Sequence, residues 1–449
     1  MKDKTLVTYS LLAHLKETSN QRISNIAELF FPIVKKALFE YAKERGNNNI
    51  KGKSITEIQN KITEFFGIDI PLAVLDFILL QIHKEISDEN IFIYNKDKSF
   101  IINTYIFNEL DEEITIESES IEILKTDFES YCRLNNYKPN FEELINFICA
   151  QKIDIFIGKK FEDFNYEFHI PKYIETKLYD EKFFKIISDI YLGSLISSYF
   201  EFKIDTPVAN TELLIDTNFF ISLINLNTYE AFLTCNKLHE VCTRLGYKFT
   251  MLYSTVEEIK FLLNSKIYDF VKKELGLIKV ADIFGACVRR DLDKTHLERI
   301  KDNIDETIKK YNINVISENS IKELVETAKN SEIYDKFVVL RQNEKSALND
   351  AIAYSYVNKK RGSNVNEFAD VKCWFLNNSY SKDYYIGLGY KLHERYKICA
   401  NELLSLLWLS NPNQENININ ILTRGGLATY ISKYRKYKIP STTTIESIN

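Results

Sequence analysis

Three carboxylates in the second half of the sequence could form a catalytic or metal-binding site. Asp216 ends the short apolar run LLID, and Glu258 lies one turn into the helical segment that follows the apolar run KFTMLYS. Asp350 lies within LNDAIAYSYV, a helical segment that is apolar nearly all the way round. A carboxylate on a helix that packs against a sheet is costly unless it is paired or bound to a metal. Three converging carboxylates would supply the oxygen ligands that a hard divalent cation needs.

Each of these acids also has a structural explanation. Asp216 precedes the helix start TNFF and could serve as its N-cap. Glu258 could be a solvated carboxylate in the first turn of a helix, where the helix dipole favours a negative charge. Asp350 could be the ion-pair partner of a buried cation, and for this acid a purely structural role is the hardest to justify.

The elements that must position these acids indicate an α/β arrangement. Short apolar runs at 213–216, 248–254, 370–378 and 396–400 predict strands, and the segments after the first, second and fourth runs have helical periodicity. The stretch from about 265 to 343 predicts a helical insertion. Short strands that alternate with helices predict a parallel sheet flanked by helices, and such sheets bind ligands beyond the carboxyl ends of their strands. The acids after the first two strands therefore project toward the same edge.

Four segments together resemble the motifs of PIN-domain nucleases. LLIDTNFFISLI is similar to the first motif, a hydrophobic strand that ends in Asp and is followed by Thr and Asn. STVEEIKFLL is similar to the second, and its register selects Glu258, which precedes Ile259, over Glu257. NEKSALNDAIAYSYV resembles the third, in which Asp precedes Ala on a buried helix, and this selects Asp350. The resemblance covers about 211–435, roughly half of the chain.

The fourth motif departs from the family pattern. DVKCWFLNNSYS resembles an apolar strand that runs into a Leu-Thr-x-Asp type of sequence. Asn377 stands where Thr is usual, and Ser379 stands where the fourth acid would be. The departure bears on whether a second metal ion binds and on the catalytic rate.

The resemblance implies an endonuclease that hydrolyses RNA phosphodiesters with bound Mg²⁺ or Mn²⁺ and leaves a 5′-phosphate and a 3′-OH. It implies that Asp216 and Asp350 are direct metal ligands, and that Glu258 is a ligand directly or through water. The positions expected to orient the carboxylates or the scissile phosphate are Asn218, Ser254, Asn377 and Ser379. The candidates for holding backbone phosphates are Lys336, Arg341 and Lys345.

The N-terminal half predicts a mostly helical region. Residues 1–108 resemble a winged-helix domain, with three helices, a polar loop NNNIKGK after the first, and a hairpin formed by NIFIYN and SFIINTYI. The second helix is expected to begin at a capping box of Ser54 and Glu57. The third helix offers few base-reading side chains, so a protein-interaction or dimerisation role is favoured over DNA binding. Residues 109–205 predict a helical connector, and 206–449 predict the PIN-like domain.

The amino-acid composition limits which binding partners and which cellular compartment are expected. The 449-residue chain has a net charge of −5 and a pI near 5.9, so nucleic acid must be held by a local patch or through metal ions. Seven scattered cysteines predict a reduced, cytoplasmic protein. No apolar run reaches the roughly 18–20 residues of a membrane span. The expected partners are RNA rather than DNA, and a regulatory protein or a second copy of the chain bound through the N-terminal half.

The same sequence features are also consistent with other functions and with another candidate site. A structure-specific DNA nuclease is one alternative, and a catalytically degenerate regulator that binds nucleic acid or protein is another. By analogy, the chain's size and its winged-helix-like start favour a regulated stress or phage-defence effector. Cys235, His239 and Cys242 have metal-like types on one helix face, but without a fourth ligand their packing is favoured over zinc binding.

Overall fold

The computed structural model gathers the chain into two units, and each is described by itself. The first is built mainly from Met1–Phe156 and Lys160–Lys203, and the second mainly from Ile204–Ser410 and Asn416–Asn449. No helix in the described part of the chain is long and apolar enough to cross a membrane. The described residues are 3–18, 26–46, 49–86, 91–103, 110–150, 167, 169–199, 211–272, 282–341, 343–362, 365, 368–378, 395–410 and 419–438.

The first unit begins with four helices, and two of them have clear start or stop signals. They are α1 (Asp3–Thr18), α2 (Phe31–Arg45), α3 (Ile55–Phe66) and α4 (Leu72–Ile86). α2 ends where Gly46 adopts a left-handed φ of 74°, which glycine tolerates because it has no Cβ. At the start of α3, the Ser54 hydroxyl accepts from the Thr56 N–H, and the Ser54 N–H donates to the Glu57 carboxylate at 3.3 Å. The predicted capping box is confirmed.

A small antiparallel sheet completes this group of helices. Its strands, in the order β1–β3–β2, are β1 (Ile50–Gly52), β2 (Phe92–Tyr94) and β3 (Phe100–Ile102). The predicted hairpin is confirmed, since Phe92 pairs with Ile102. The expectation of a plain loop at NNNIKGK was wrong, because Ile50 also pairs with Ile102 from the other side. A three-residue strand among polar residues carries too little alternation for the sequence to reveal it.

The rest of the first unit is helical where it is described. Its helices are α5 (Asp111–Leu134), α6 (Phe141–Ile148), α7 (His169–Lys177) and α8 (Glu181–Ser197). The helical expectation for 109–205 is therefore confirmed for the described residues, and 151–166 lie outside them. α8 approaches α1 most closely at Gly193, where an added Cβ would lie 1.8 Å from the carbonyl oxygen of Tyr9.

We expect Gly193→Ala to destabilise the first unit. The added methyl group would overlap the α1 backbone, and forcing two packed helices apart costs about 1–3 kcal/mol. The better helix propensity of alanine, about 1 kcal/mol, offsets only part of this cost. Hydrogen exchange of α1 and α8, followed by mass spectrometry, should show faster opening of both helices. Unchanged protection would contradict the close approach described here.

Five parallel strands form the sheet of the second unit. They are β4 (Glu212–Ile215), β5 (Lys248–Leu252), β6 (Ile313–Ile316), β7 (Cys373–Leu376) and β8 (Lys397–Ile398). Their order is β6–β5–β4–β7–β8, and all four pairings are parallel. The parallel sheet predicted from alternating strands and helices is confirmed.

Helices connect and cover these strands. They are α9 (Thr217–Leu223), α10 (Tyr229–Arg244), α11 (Tyr253–Lys272), α12 (Ile283–Arg290), α13 (Lys294–Asp302), α14 (Ile304–Lys310), α15 (Lys322–Lys329), α16 (Glu332–Arg341), α17 (Glu344–Arg361), α18 (Ala400–Ser410) and α19 (Ile419–Lys438). α17 contacts β7 and shares a core with it, in which Ala347 and Ala351 pack with Leu214 and Phe375. Small side chains let α17 lie close to the sheet, and Asp350 is on this helix.

The predicted helical insertion at about 265–343 needs one correction. Within it, β6 joins the edge of the sheet, and Phe249 of β5 pairs with Ile313. The chain turns before β6 at Asn312, which has a left-handed φ of 53°. Two of the four residues of β6, Asn314 and Val315, are exposed. A strand this short and half-polar is hard to distinguish from the charged helical segments on either side of it.

The strand order reverses between β4 and β7. The chain moves outward from β4 through β5 to β6, and then places β7 and β8 on the opposite side of β4. In open parallel sheets, ligands bind in the crevice beyond the carboxyl ends of the strands at such a reversal. Asp216 directly follows β4 at this point, and Asn377 directly follows β7.

Candidate functional site

Asp216 directly follows β4 and is the N-cap of α9. Its Oδ2 accepts from the backbone N–H and from the side-chain amide of Asn218, each at 3.3 Å. Burial, reinforced by the nearby charge of Glu258, raises the pKa of Asp216 to about 6, while Lys397 acts in the opposite direction. The capping role considered for Asp216 is therefore present, and Asn218 orients the carboxylate as expected. A cap does not, however, explain why a second acid lies beside it.

Glu258 interacts electrostatically with both of the other predicted acids, Asp216 and Asp350. It is partly buried on the second turn of α11, and burial raises its pKa. Thr217 and Arg341 lower this pKa from nearby, whereas Asp350 raises it further.

The neighbouring acid Glu257 lies at the surface. Its side chain is 47% exposed and lies 3.9 Å from the ammonium group of Lys260, which is an ordinary surface pairing. Of the two adjacent glutamates, Glu258 is therefore the one that interacts with the other predicted acids.

Asp350 is in direct contact with a cation. The Nε of Arg341 donates to Oδ2 of Asp350 at 2.6 Å, and the two side chains are 24% and 13% exposed, respectively. Arg341 is the last residue of α16, and Asp350 lies on the second turn of α17. The ion pair therefore joins the two helices at their corner. The ion-pair alternative considered for Asp350 is present, and its cation is a residue expected to hold phosphate.

Two buried hydroxyls beside the acids have no hydrogen-bond partner among the described residues. One belongs to Thr217, which follows Asp216, and the other to Ser254, one helical turn before Glu258 on α11. Thr217 is near enough to lower the pKa of Glu258, but its geometry falls short of a hydrogen bond. An unsatisfied buried hydroxyl costs about 1–3 kcal/mol, so both groups fit a site that binds water or a polar ligand. Ser254 was among the predicted positions and Thr217 was not.

Lys397 is a buried cation near the site that sequence reasoning missed. It begins β8, is 1% exposed, and pairs in register with Phe375 of β7. Its charge lowers the pKa of Asp216, which places the two residues within electrostatic range. The only sequence signal was a lysine inside YKICA, where the other strand positions are apolar.

The residues after β7 form one wall of the crevice. Asn377 is 2% exposed, and its backbone N–H donates to the carbonyl of Ile398 at 3.1 Å. The side-chain carbonyl of Asn378 accepts from the Ala400 N–H at 3.0 Å, at the start of α18. These asparagines therefore tie β7 to β8 and to the helix after it. Ser379 lies outside the described residues.

The other predicted phosphate-binding residues are at the surface. Lys336 on α16 and Lys345 on α17 are exposed, whereas Arg341 is partly buried against Asp350. Asn349, next to Asp350, was not predicted, and its amide lowers the pKa of Glu258.

The cysteines and histidine on α10 are packing residues. Cys235 and Cys242 are fully buried, and burial raises the pKa of the Cys235 thiol to about 12. The Nε2 of His239 lies 2.8 Å from the carbonyl oxygen of Tyr311. A histidine nitrogen committed to a backbone carbonyl and two protonated thiols do not suit zinc, so the packing interpretation is favoured.

The three acids do not form a ready-made metal cage. In the part of the chain that is described, no group of three or more His, Cys, Asp or Glu side chains could hold a metal ion. Asp216 and Glu258 nevertheless fit Mg²⁺, which is commonly bound through one or two carboxylates and keeps several of its waters. The unpartnered hydroxyls of Thr217 and Ser254 are suited to hydrogen-bond such waters. Asp350 differs from this pair because it is bound to Arg341.

Comparison with known proteins returned no relative. No protein-family model matches the chain, and no curated protein or solved structure is significantly similar to it. Its function therefore has to be inferred from the site itself.

Proposed function

We propose that this protein is a divalent-metal-dependent nuclease of the PIN type that hydrolyses RNA. The observation that carries the proposal is the Asp216–Glu258 pair at the point where the strand order reverses. Two neighbouring, partly buried carboxylates repel each other and are costly unless a cation neutralises them. A binding site for a hard cation accounts for the pair in a way that an N-cap and a solvated helix carboxylate do not.

Each residue of the site would have its own role in the reaction. Asp216 and Glu258 would hold Mg²⁺ or Mn²⁺, which when bound lowers the pKa of a coordinated water and neutralises charge on phosphate oxygens. Asn218 fixes the orientation of the Asp216 carboxylate through its two hydrogen bonds. The hydroxyls of Thr217 and Ser254 would donate to water or to phosphate oxygens at the two acids.

RNA is the preferred substrate for two reasons. The four ordered motifs resemble PIN nucleases, and the related flap-type DNA nucleases usually hold more acids than this chain offers. The protein's net charge of −5 also favours recognition by a local site over a broad basic surface for duplex DNA. The winged-helix-like first unit would then serve as a sensor or regulatory partner surface.

The proposal is tested by cleavage of end-labelled RNA and DNA of the same sequence, single- and double-stranded, together with a branched DNA. With Mn²⁺ or Mg²⁺ we expect cleavage of RNA that leaves a 5′-phosphate, because a hard-cation site activates water for attack on phosphorus. EDTA should abolish the activity, and added Mn²⁺ should restore it. Cleavage that persists under exhaustive chelation would remove this mechanism. Selective cleavage of branched DNA would replace RNA with a DNA substrate.

A second candidate is a regulator that binds nucleic acid without cleaving it. The observation in its favour is the Arg341–Asp350 ion pair, which neutralises one of the three acids. RNA retention in a filter-binding assay, with no product in either Mn²⁺ or Mg²⁺, would support this alternative over the nuclease.

A further inference from the structure

The ion pair between Arg341 and Asp350 has features of an anchored arginine. Its 2.6 Å separation is that of a strong charge-assisted hydrogen bond. Arg341 ends α16, and residue 343 already caps α17, so the arginine lies at a tight corner. A side chain at a corner, fixed by a carboxylate one turn inside the next helix, has little freedom to move.

The arginine is also near the acid pair. Its charge lowers the pKa of Glu258, and Asp350 raises it, so both members of the ion pair are within electrostatic range of that carboxylate. Glu258 is therefore within electrostatic range of Asp216, of Asp350 and of Arg341. A cation held by Asp216 and Glu258 would share this region with the guanidinium of Arg341.

A metal-ligand role for Asp350 conflicts with this arrangement. A carboxylate oxygen that accepts from a guanidinium at 2.6 Å has its charge already compensated. The described acids also do not come together as a three-ligand group. Removing Asp350 from Arg341 to bind a metal would leave a partly buried guanidinium beside that metal, which is electrostatically unfavourable.

We propose that Asp350 is a positioning residue for Arg341, and that the Arg341 guanidinium binds a non-bridging oxygen of the phosphate that lies against Asp216 and Glu258. The inference rests on the proposed nuclease function and names how that site recognises its substrate. Arginine suits this role because its planar fork matches phosphate geometry and keeps its charge at all relevant pH values. Asp350 offsets the repulsion between this fixed charge and a divalent cation, so both can occupy the crevice.

The test uses the full-length protein and separates metal binding from phosphate binding. Mn²⁺ binding is measured by calorimetry, and single-stranded RNA binding is measured in Ca²⁺, for the wild type, Asp350→Asn, Arg341→Gln and the double variant. We expect the Mn²⁺ affinity of the double variant to stay within about 3-fold of the wild type, because neither residue is a metal ligand and the two lost charges cancel. RNA affinity should fall by about 10-fold in each single variant, since each loses the same charge-assisted contact.

Two further variants distinguish positioning from a general structural effect. The double variant should bind RNA no more weakly than either single variant, because residues that act as one unit are non-additive. Arg341→Lys should recover part of the RNA affinity. The control Lys359→Gln, which changes an exposed lysine on the same helix as Asp350, should leave the RNA affinity unchanged.

The opposite results are equally clear. A loss of Mn²⁺ affinity of about 10-fold or more in the double variant would make Asp350 a metal ligand and overturn the inference. So would unchanged RNA affinity in both single variants. A wild-type protein that binds RNA, but neither binds Mn²⁺ nor cleaves RNA, would contradict the proposed nuclease function. The RNA affinities of the variants would still decide whether Asp350 positions Arg341.

Discussion

Changing Asp216 to asparagine is expected to lower single-turnover RNA cleavage by about 10³-fold at saturating Mn²⁺, the upper range for losing one group that stabilises the transition state. Asparagine keeps the shape of the side chain and can still cap α9 through its carbonyl oxygen. The variant loses the negative charge that would bind the cation beside Glu258. Cleavage within a few-fold of the wild-type rate would remove Asp216 from the mechanism.

The same variant should be more stable than the metal-free wild type at neutral pH. The folded-state pKa of Asp216 is about 6, against an ordinary value of 3.8, so the folded protein holds this proton more tightly than the unfolded chain. The free energy of unfolding therefore falls as pH rises from about 4 to 6, by roughly 3 kcal/mol in total, and stays low above that window. Asp216→Asn should lack this contribution, so that at this site only the raised pKa of Glu258 lowers its stability in the same direction.

The difference in unfolding free energy between the wild type and Asp216→Asn can be measured for the second unit by itself. Both tryptophans of the chain, Trp374 and Trp408, belong to that unit and are 1% exposed. Urea unfolding followed by their fluorescence, in EDTA at pH 4.5 and 7.5, should show the wild type losing stability at the higher pH. An Asp216→Asn protein that unfolds more easily than the wild type at pH 7.5 would mean that the carboxylate is mainly a stabilising cap.

Changing Glu258 to glutamine is expected to reduce cleavage by about 10²-fold, because one of the two proposed metal ligands loses its charge. The matched control is Glu257→Gln, one residue away on the same helix. Glu257 is 47% exposed and pairs only loosely with Lys260, so its loss should change the rate less than about 2-fold. The two variants have the same composition and remove the same charge from α11.

The comparison of these two variants tests the register of the second motif. Mn²⁺ affinity should fall for Glu258→Gln and stay constant for Glu257→Gln, as measured by calorimetry on the full-length protein. Equal effects of the two substitutions would point to the overall negative charge of the helix. A larger effect of Glu257→Gln would reject the assignment of Glu258.

Much of the second unit could be predicted because its signals are local. Four of its strands are short apolar runs, and the capping box in the first unit is a contiguous pattern at Ser54–Glu57. β1 and β6 were missed because three or four residues with exposed or polar members carry no measurable alternation. Both strands are held by pairing with partners that are distant in sequence.

In the candidate site, too, some residues could be predicted from the sequence and others could not. Asp216, Glu258 and Asp350 could be proposed because each follows or lies within a recognisable local element. The buried charge of Lys397 and the unpartnered Thr217 hydroxyl depend on which strands and helices meet, which a single sequence does not reveal. The contact of Arg341 with Asp350 joins two residues that were expected to act on different groups.

The reversal of strand order also determines when the crevice can exist during synthesis. The Thr211 hydroxyl donates to the carbonyl of Val371, 160 positions further along, and β4 pairs with β7 over its whole length. At about 5–20 residues per second, a ribosome makes these two walls roughly 10–30 s apart. A nascent chain stopped before β7 would therefore carry both Asp216 and Glu258 and still lack the wall against which a phosphate could be held.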